Sequence, residues 1–372
     1  MDSRRGFLSR GVALAGGVAL ASVARGGAAQ GLVAGASVAS PGGASAAVVM
    51  PGAPAADRAL GTVSGRDYEA LKSADGLAIR LAVWRKQLVR TAAGTHGAPA
   101  VERPPLVLVH GSSTAGRASY DLQVPGKPHY SAMDWLARHG YDVWCFDHEG
   151  YGRSDKRRAI NADVANGADD LLTVCDLVRR ETGAAKVLLY GVSSGSLRAG
   201  LFAQRHPDRV ARLALDALVW TGEGSPTLAE RRKRLDQWRS NNRRPLDRAL
   251  VESIFTRDHP GTAEADVVRA FADALLAQDN SVPTGTYLDM SAHLPVIDPS
   301  RILAPTLVMR GQWDGIAAFE DVLGFFTRLP NPDRHFAIMP GIAHSSMHEK
   351  NVETVYHILD TFMRQPAPIY RG

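Results

Sequence analysis

The sequence predicts an α/β protein with a mostly parallel central sheet covered by helices on both faces. Three observations carry that reading. Short apolar runs alternate with helical stretches, as βαβ units require. The pentapeptide Gly191-Val192-Ser193-Ser194-Gly195 sits where one such run meets a helix. The alternation breaks after Asp216 and resumes near Thr306, which places a helical lid after the strand that ends near Asp216. The chain has 372 residues, 45% hydrophobic and 22% charged, enough apolar material for a globular core.

Two segments precede that core. Residues 1–29 read as an export signal: Ser3-Arg4-Arg5-Gly6-Phe7-Leu8, a weakly apolar run from Gly11 to Ala24, and small residues near Ala24 and Ala29 where a peptidase could cut. The paired arginines followed by Phe-Leu resemble a twin-arginine signal. The apolar run is shorter than a membrane span and no cysteine lies near the cleavage site, so no stable membrane anchor is expected. A periplasmic or secreted protein follows. Residues 30–60, rich in Ala, Gly, Ser, Val and Pro with almost no charge, read as a flexible leader.

The core is assigned to residues 61–219 and 299–372. Extended segments between Tyr68 and Val89 flank Ala74-Asp75-Gly76, a hairpin signal. Strands follow at Pro105 to Val109, Tyr141 to Phe146, Lys186 to Tyr190 and Val210 to Leu215. Helices fall at Tyr130 to His139, Asp163 to Thr182, and from Ser194 to His206-Pro207. Residues 220–298 carry helical patterns and no convincing strand, and form the lid. Then come a strand at Thr306 to Arg310, a helix at Phe319 to Arg328, a strand at His335 to Met339 and a last helix at Val352 to Arg364.

Charge and cysteine content exclude several classes. The chain carries 43 Lys+Arg against 38 Asp+Glu, and without residues 1–29 the balance is 39 against 37, a net of +2. The basicity belongs largely to the export signal, so nucleic acid is not an expected partner. Cys145 lies in an apolar strand and Cys175 in a helical pattern, which points to two separate buried thiols. No phosphate loop or dinucleotide fingerprint occurs, and no cofactor is expected. Asp147, His148, Glu149 and Asp155 cluster but lack a ligand spacing such as His-Glu-x-x-His. They read as a loop held by local bonds, and no metal is expected.

In an open parallel sheet ligands gather at the carboxyl ends of the strands, so polar residues there are the candidates for chemistry. Ser193 stands at a strand-to-helix turn, where the flanking glycines let the chain turn sharply and the helix N-terminus favours negative charge. A serine nucleophile needs a base, and His344 follows the penultimate apolar run in Gly341-Ile342-Ala343-His344. His335 falls at the wrong end of its strand, and His348 where the last helix starts. Asp314, in Gln312-Trp313-Asp314-Gly315, is placed to orient the imidazole, with Asp216 as the alternative acid. Oxyanion donors are expected at the N–H groups of Ser194 and Ser112, the latter in His110-Gly111-Ser112-Ser113, with Ser113 second. His110 reads as structural.

From about residue 66 to 364 the chain resembles the α/β-hydrolase superfamily. The matching residues are His110-Gly111, the stretch Asp147-His148-Glu149-Gly150-Tyr151-Gly152-Arg153-Ser154, the Ser193 elbow, Asp314 and His344. The stretch at 147–154 resembles the Asp-x-x-Gly-x-Gly-x-Ser segment of lid-bearing members. A serine nucleophile in place of aspartate sets the chain apart from epoxide hydrolases and haloalkane dehalogenases. The resemblance implies hydrolysis of a small-molecule or polymeric carboxylic ester through an acyl-enzyme. Carbon–carbon, lactone or amide hydrolysis and acyl transfer remain alternatives on the same triad, as does a non-catalytic binding protein of the same fold. Ser113, Trp220 and Trp238 are candidates for substrate binding, with Phe255 and Tyr287 as further apolar lining. The basic stretch with Arg231, Arg232, Lys233, Arg234, Arg239, Arg243, Arg244 and Arg248 reads first as a solvated face, and second as an attractor of anions.

Overall fold

The computed structural model describes residues 61–89 and 103–370; the export signal expected at 1–29 and the leader at 30–60 lie outside the described residues. The chain opens with β1 (Thr62–Ala74) and β2 (Leu77–Val89), antiparallel partners along their whole length. Asp75 and Gly76 take φ of 51° and 73°, the left-handed pair that a two-residue hairpin turn needs. The alternating units follow: β3 (Pro105–Val109), α1 (Gly116–Tyr120), α2 (Ala132–Arg138), β4 (Asp142–Phe146), α3 (Val164–Thr182), β5 (Val187–Val192), α4 (Ser194–Arg205) and β6 (Val210–Asp216).

Local chemistry fixes the ends of α3. The Asp163 carboxylate accepts the Asn166 N–H at 2.8 Å, and Gly183 leaves the helix at φ 75°. After β6 come α5 (Pro226–Arg232), α6 (Leu235–Ser240), β7 (Arg243–Pro245), α7 (Arg248–Ser253), α8 (Ala265–Leu276), β8 (Ser281–Pro283) and α9 (Gly285–Ala292). The core resumes with β9 (Thr306–Gly311), α10 (Phe319–Thr327), β10 (Arg334–Met339) and α11 (Val352–Arg364).

Eight strands form one sheet in the order β1-β2-β4-β3-β5-β6-β9-β10. Every pair from β4 to β10 is parallel; only the β1–β2 and β2–β4 pairs are antiparallel. The mostly parallel sheet that the sequence predicts is the sheet observed. Alternate residues of one strand feed opposite faces, as the strand period of two dictates. Val107 and Leu189 join the residues of α3, α4 and α10 on one side. Leu106, Leu108, Leu188 and Tyr190 join those of α2 and α11 on the other.

Residues 220–298 are mainly helical, with one departure from expectation. β7 and β8 pair as a two-stranded antiparallel ribbon, which the sequence reading lacks. Each strand is three residues long and ends in proline, too short to give a periodic signal; the Arg243 side chain ties them by bonding Ser281 Oγ at 3.0 Å. Asp321 of α10 anchors the start of the inserted segment, accepting the N–H groups of Trp220 at 2.9 Å and Gly222 at 3.1 Å. Cys145 and Cys175 are both buried and unbonded to each other, and burial pushes both thiols up. No helix among the described residues is long and apolar enough to cross a membrane.

The packing ledger gives a direct check. Leu189 is fully buried mid-sheet, whereas Leu71 is 66% exposed. Leu189→Ala is expected to cost about 2–5 kcal/mol through lost contacts and a cavity, and Leu71→Ala within about 0.5 kcal/mol. Urea midpoints of the two variants measure the difference; equal midpoints would contradict this core.

Candidate active site

Ser193 lies where β5 passes directly into α4. Its backbone takes φ 58° and ψ −125°, a conformation that side chains rarely adopt and that costs about 1–3 kcal/mol. Neighbouring bonds hold it there. Ser193 N–H donates to the Asp216 carbonyl at 2.9 Å, and Ser196 Oγ donates to the carbonyls of Gly191 and Asp216, both at 2.7 Å. The flanking glycines are required by space. A Cβ on Gly191 would come within 2.5 Å of the Gly195 carbonyl oxygen, and one on Gly195 would overlap the Val109 carbonyl oxygen.

His344 and Asp314 reach Ser193 from the neighbouring strand ends. Asp314 follows β9 and His344 follows β10. His344 Nε2 lies 3.0 Å from Ser193 Oγ, and its Nδ1 lies 3.0 Å from each carboxylate oxygen of Asp314. Asp314 Oδ1 also accepts the N–H groups of Ile316 at 2.8 Å and Ala317 at 3.0 Å. Burial alone would push the Asp314 carboxyl up; His344 and those two amides outweigh it and hold the group below its ordinary value. Asp216, the alternative acid, does not touch the imidazole. Its Oδ2 accepts the Tyr190 hydroxyl at 2.7 Å and the Ser346 hydroxyl. Burial pushes it up to about 6, against those two donors.

Ser112 and Ser194 stand side by side, joined by a 2.8 Å bond from Ser112 Oγ to Ser194 Oγ. A Cβ on Gly111 would lie 3.4 Å from Ser193 Cβ, so the segment after β3 runs against the elbow. His110 is fully buried. Its Nδ1 bonds the Gly111 carbonyl at 2.8 Å and its Nε2 accepts the His148 N–H at 3.1 Å, which leaves no nitrogen for the cleft. Burial, with His148 and Arg198 nearby, holds it neutral.

The cleft over Ser193 has about 620 Å³ of empty space, counting its open mouth. Gly111, Ser112, Ser113, Tyr287 and His344 line it. Trp220 and Trp238 do not. Trp220 packs on Phe325 of α10 and bonds the Ile297 carbonyl at 3.2 Å. Trp238 stands edge-on behind Tyr287, with ring centres 5.4 Å apart. Both serve the packing of the inserted segment, and so does Phe255, which packs on Phe271.

Three groups at the site escaped the sequence reading. Glu349 is fully buried and brackets His344, its carboxylate accepting the N–H groups of Ala343 at 2.5 Å and Ser345 at 2.9 Å. Its place five residues beyond the histidine, just ahead of α11, was the available signal. Asp258 of the inserted segment comes so close to Gly315 that a Cβ there would lie 2.7 Å from its Oδ1. The third group is a pair of arginines, the half-buried Arg231 and the exposed Arg257, which line the same cleft.

Ligand atoms of Asp258, Asp314 and His344 lie within 4.8 Å of one another. Asp314 and His344 are already bonded to each other. The stretch at 147–155 is held by local bonds. Asp147 accepts the N–H of Gly116 at 2.7 Å and of Arg153 at 2.8 Å, Asp155 accepts the Arg80 N–H at 2.8 Å, and Glu149 pairs with Lys72 and Arg158.

Comparison with known proteins agrees with this architecture. The family profile described as "Serine aminopeptidase, S33" matches residues 129–351. A monoacylglycerol lipase of Mycolicibacterium smegmatis is 21% identical over 235 residues, 62% of this chain and 80% of that protein. A thermophilic esterase from Thermogutta terrifontis superposes with a TM-score of 0.55 at 21% identity, over 80% of this chain and 98% of that one. The epoxide hydrolase VrEH1 from Vigna radiata superposes with a TM-score of 0.57 at 16% identity, over 81% and 98%, so the shared fold spans different chemistries. The chain therefore belongs to the α/β-hydrolase family described as Serine aminopeptidase, S33, a family of hydrolases.

Proposed function

We propose that the chain is a serine hydrolase that cleaves a carboxylic ester through an acyl-enzyme. The observation that carries this reading is the unbroken line from Ser193 Oγ through His344 to Asp314, with 3.0 Å at each link and with Ser193 and His344 lining the cleft. Likeness to a lipase and an esterase supports the ester class.

In this reading Ser193 Oγ attacks the ester carbonyl while His344 Nε2 takes its proton. Asp314 accepts the Nδ1–H, which fixes the tautomer and stabilises the imidazolium. The N–H groups of Ser112 and Ser194 receive the oxyanion, as the pairing of these residues beside the elbow supports. Collapse of the tetrahedral intermediate passes the proton from His344 to the departing alcohol. Water then attacks the acyl-enzyme, with His344 again as base, and releases the acid. Residues 220–298 act as the lid over this cleft, to which they contribute Arg231, Arg257 and Tyr287.

The test is turnover of p-nitrophenyl esters of increasing acyl length by the wild type and three variants. Ser193→Ala is expected to lower kcat by at least about 10⁴-fold. Asp314→Asn should lower it by about 10⁴-fold, and Asp216→Asn by less than tenfold, since Asp216 bonds Tyr190 and Ser346 instead of His344. Full activity in Ser193→Ala, or a larger loss in Asp216→Asn than in Asp314→Asn, would contradict the assignment.

Export by a twin-arginine route is proposed on the Arg4-Arg5-Gly6-Phe7-Leu8 segment. The double variant Arg4→Lys, Arg5→Lys should keep the full-length chain in the cytoplasmic fraction, where the wild type leaves a shortened chain outside it. Equal distribution of the two would overturn export by this signal.

A further inference from the structure

Apart from Arg243, which bonds Ser281 Oγ and the Gly150 carbonyl, the basic stretch of the inserted segment divides into two populations. Arg232, Lys233, Arg234, Arg239 and Arg248 are exposed, and several pair locally, as Lys233 does with Glu230 at 2.6 Å. Arg231 and Arg244 turn inward. Arg231 and Arg257 line the cleft beside Ser193 and His344. Arg244 is buried behind them, donating to Ser113 Oγ at 2.6 Å and to the Ser112 carbonyl at 3.2 Å, while its Nε has no partner. The Tyr287 ring is held between two guanidiniums, at 4.1 Å from Arg231 and 3.9 Å from Arg244.

These three cations face little negative charge. Asp258 is the nearby carboxylate, 3.5 Å from Arg257 Nε, and its own Oδ2 is buried without a partner. The Arg231 guanidinium makes no ion pair and no hydrogen bond among the described residues; it lies on the face of Tyr287 and feels Asp258 only at a distance. An unpaired cation out of water is costly, and an anion that enters the cleft removes that cost. A guanidinium fork suits a carboxylate or a phosphate oxygen pair.

Tyr287 reports the same field. Burial pushes its hydroxyl up, but Arg231 and Arg244, with Ser113 and Arg257, bring it down to about 7. The free α-ammonium of an aminopeptidase substrate would meet the repulsion of Arg231 and Arg257.

We propose that the substrate carries an anionic group, a carboxylate or a phosphate, which Arg231 and Arg257 bind under the inserted segment while the scissile carbonyl rests at Ser193. This rests on the serine-hydrolase reading above. Arg244 acts differently, as a positioning residue for the Ser112–Ser113 segment.

The experiment compares two p-nitrophenyl esters of adipic acid, one with the distal carboxylate free and one with it capped as a methyl ester. Wild-type kcat/KM should favour the free acid at least tenfold. That ratio should fall toward one in Arg231→Gln and in Arg257→Gln, and recover in part in Arg231→Lys, which restores the charge. Glutarate and inorganic phosphate are also titrated calorimetrically into the Ser193→Ala protein; the tighter of the two identifies the anion.

A wild-type ratio at or below one, with both esters still cleaved through Ser193, would overturn the anion pocket and leave the hydrolase reading standing. Binding of glutarate or phosphate with neither ester cleaved would support the pocket and count against ester hydrolysis. Failure of both anions to bind would overturn the pocket whatever the esters do.

Discussion

The strand-to-helix turn at Ser193 sets the constraint on which the rest of the site depends. β5 has no residue to spare before α4 begins, so Ser193 itself must take the positive φ. That turn is open only because Gly191 leaves no side chain against the first turn of α4, and Gly195 none between α4 and the end of β3. Once the turn is made, the hydroxyl stands at the carboxyl edge of the sheet, beside the ends of β9 and β10. His344 and Asp314 then need only short loops to reach it, and Glu349 clamps the histidine loop from both sides. The strain at one residue is offset by many small bonds around it, those of Ser196 foremost.

Two sets of charges surround this frame, and they behave differently. Lys72 bridges Glu149 at 2.7 Å and Asp170 at 2.5 Å, and Arg158 meets Glu149 at 2.6 Å. Burial opposes the Lys72 charge, yet the two carboxylates win and hold its ammonium above its ordinary value. This network is closed, so it fixes the 147–158 loop and asks nothing of a ligand. The arginines of the inserted segment are open: Arg231, Arg244 and Arg257 face one carboxylate and a tyrosine. That imbalance points outward, to whatever fills the cleft.

The sequence carried the sheet because parallel strands buried on both faces read as short apolar runs; Pro105 to Val109 is the observed β3, and Lys186 to Tyr190 misses β5 by one residue at its start. α3 falls on the expected stretch from Asp163 to Thr182, and α11 spans the expected residues. The 147–155 loop was read as locally bonded, and its carboxylates do bond nearby amides and cations. The inserted segment was less legible. Its helices are short, α5 burying only Leu228, so a step of one residue decides whether an arginine meets water or the cleft. Arg231 and Arg244 were therefore grouped with a solvated face to which they do not belong. Aromatic residues gave the converse difficulty. Tyr287 reaches the cleft, while Trp238 stands one layer behind it, and composition alone does not separate the two.

The central claim is that Ser193 is a nucleophile activated by His344. Covalent labelling tests it without choosing a substrate. The folded protein is treated with a fluorophosphonate, and the adduct is located by intact mass and peptide mapping. The account predicts one adduct per chain, on Ser193, absent from Ser193→Ala and formed at least about 10³-fold more slowly in His344→Ala, since serine without its base is a poor nucleophile. Labelling at another residue, or equal labelling of the wild type and His344→Ala, would contradict it.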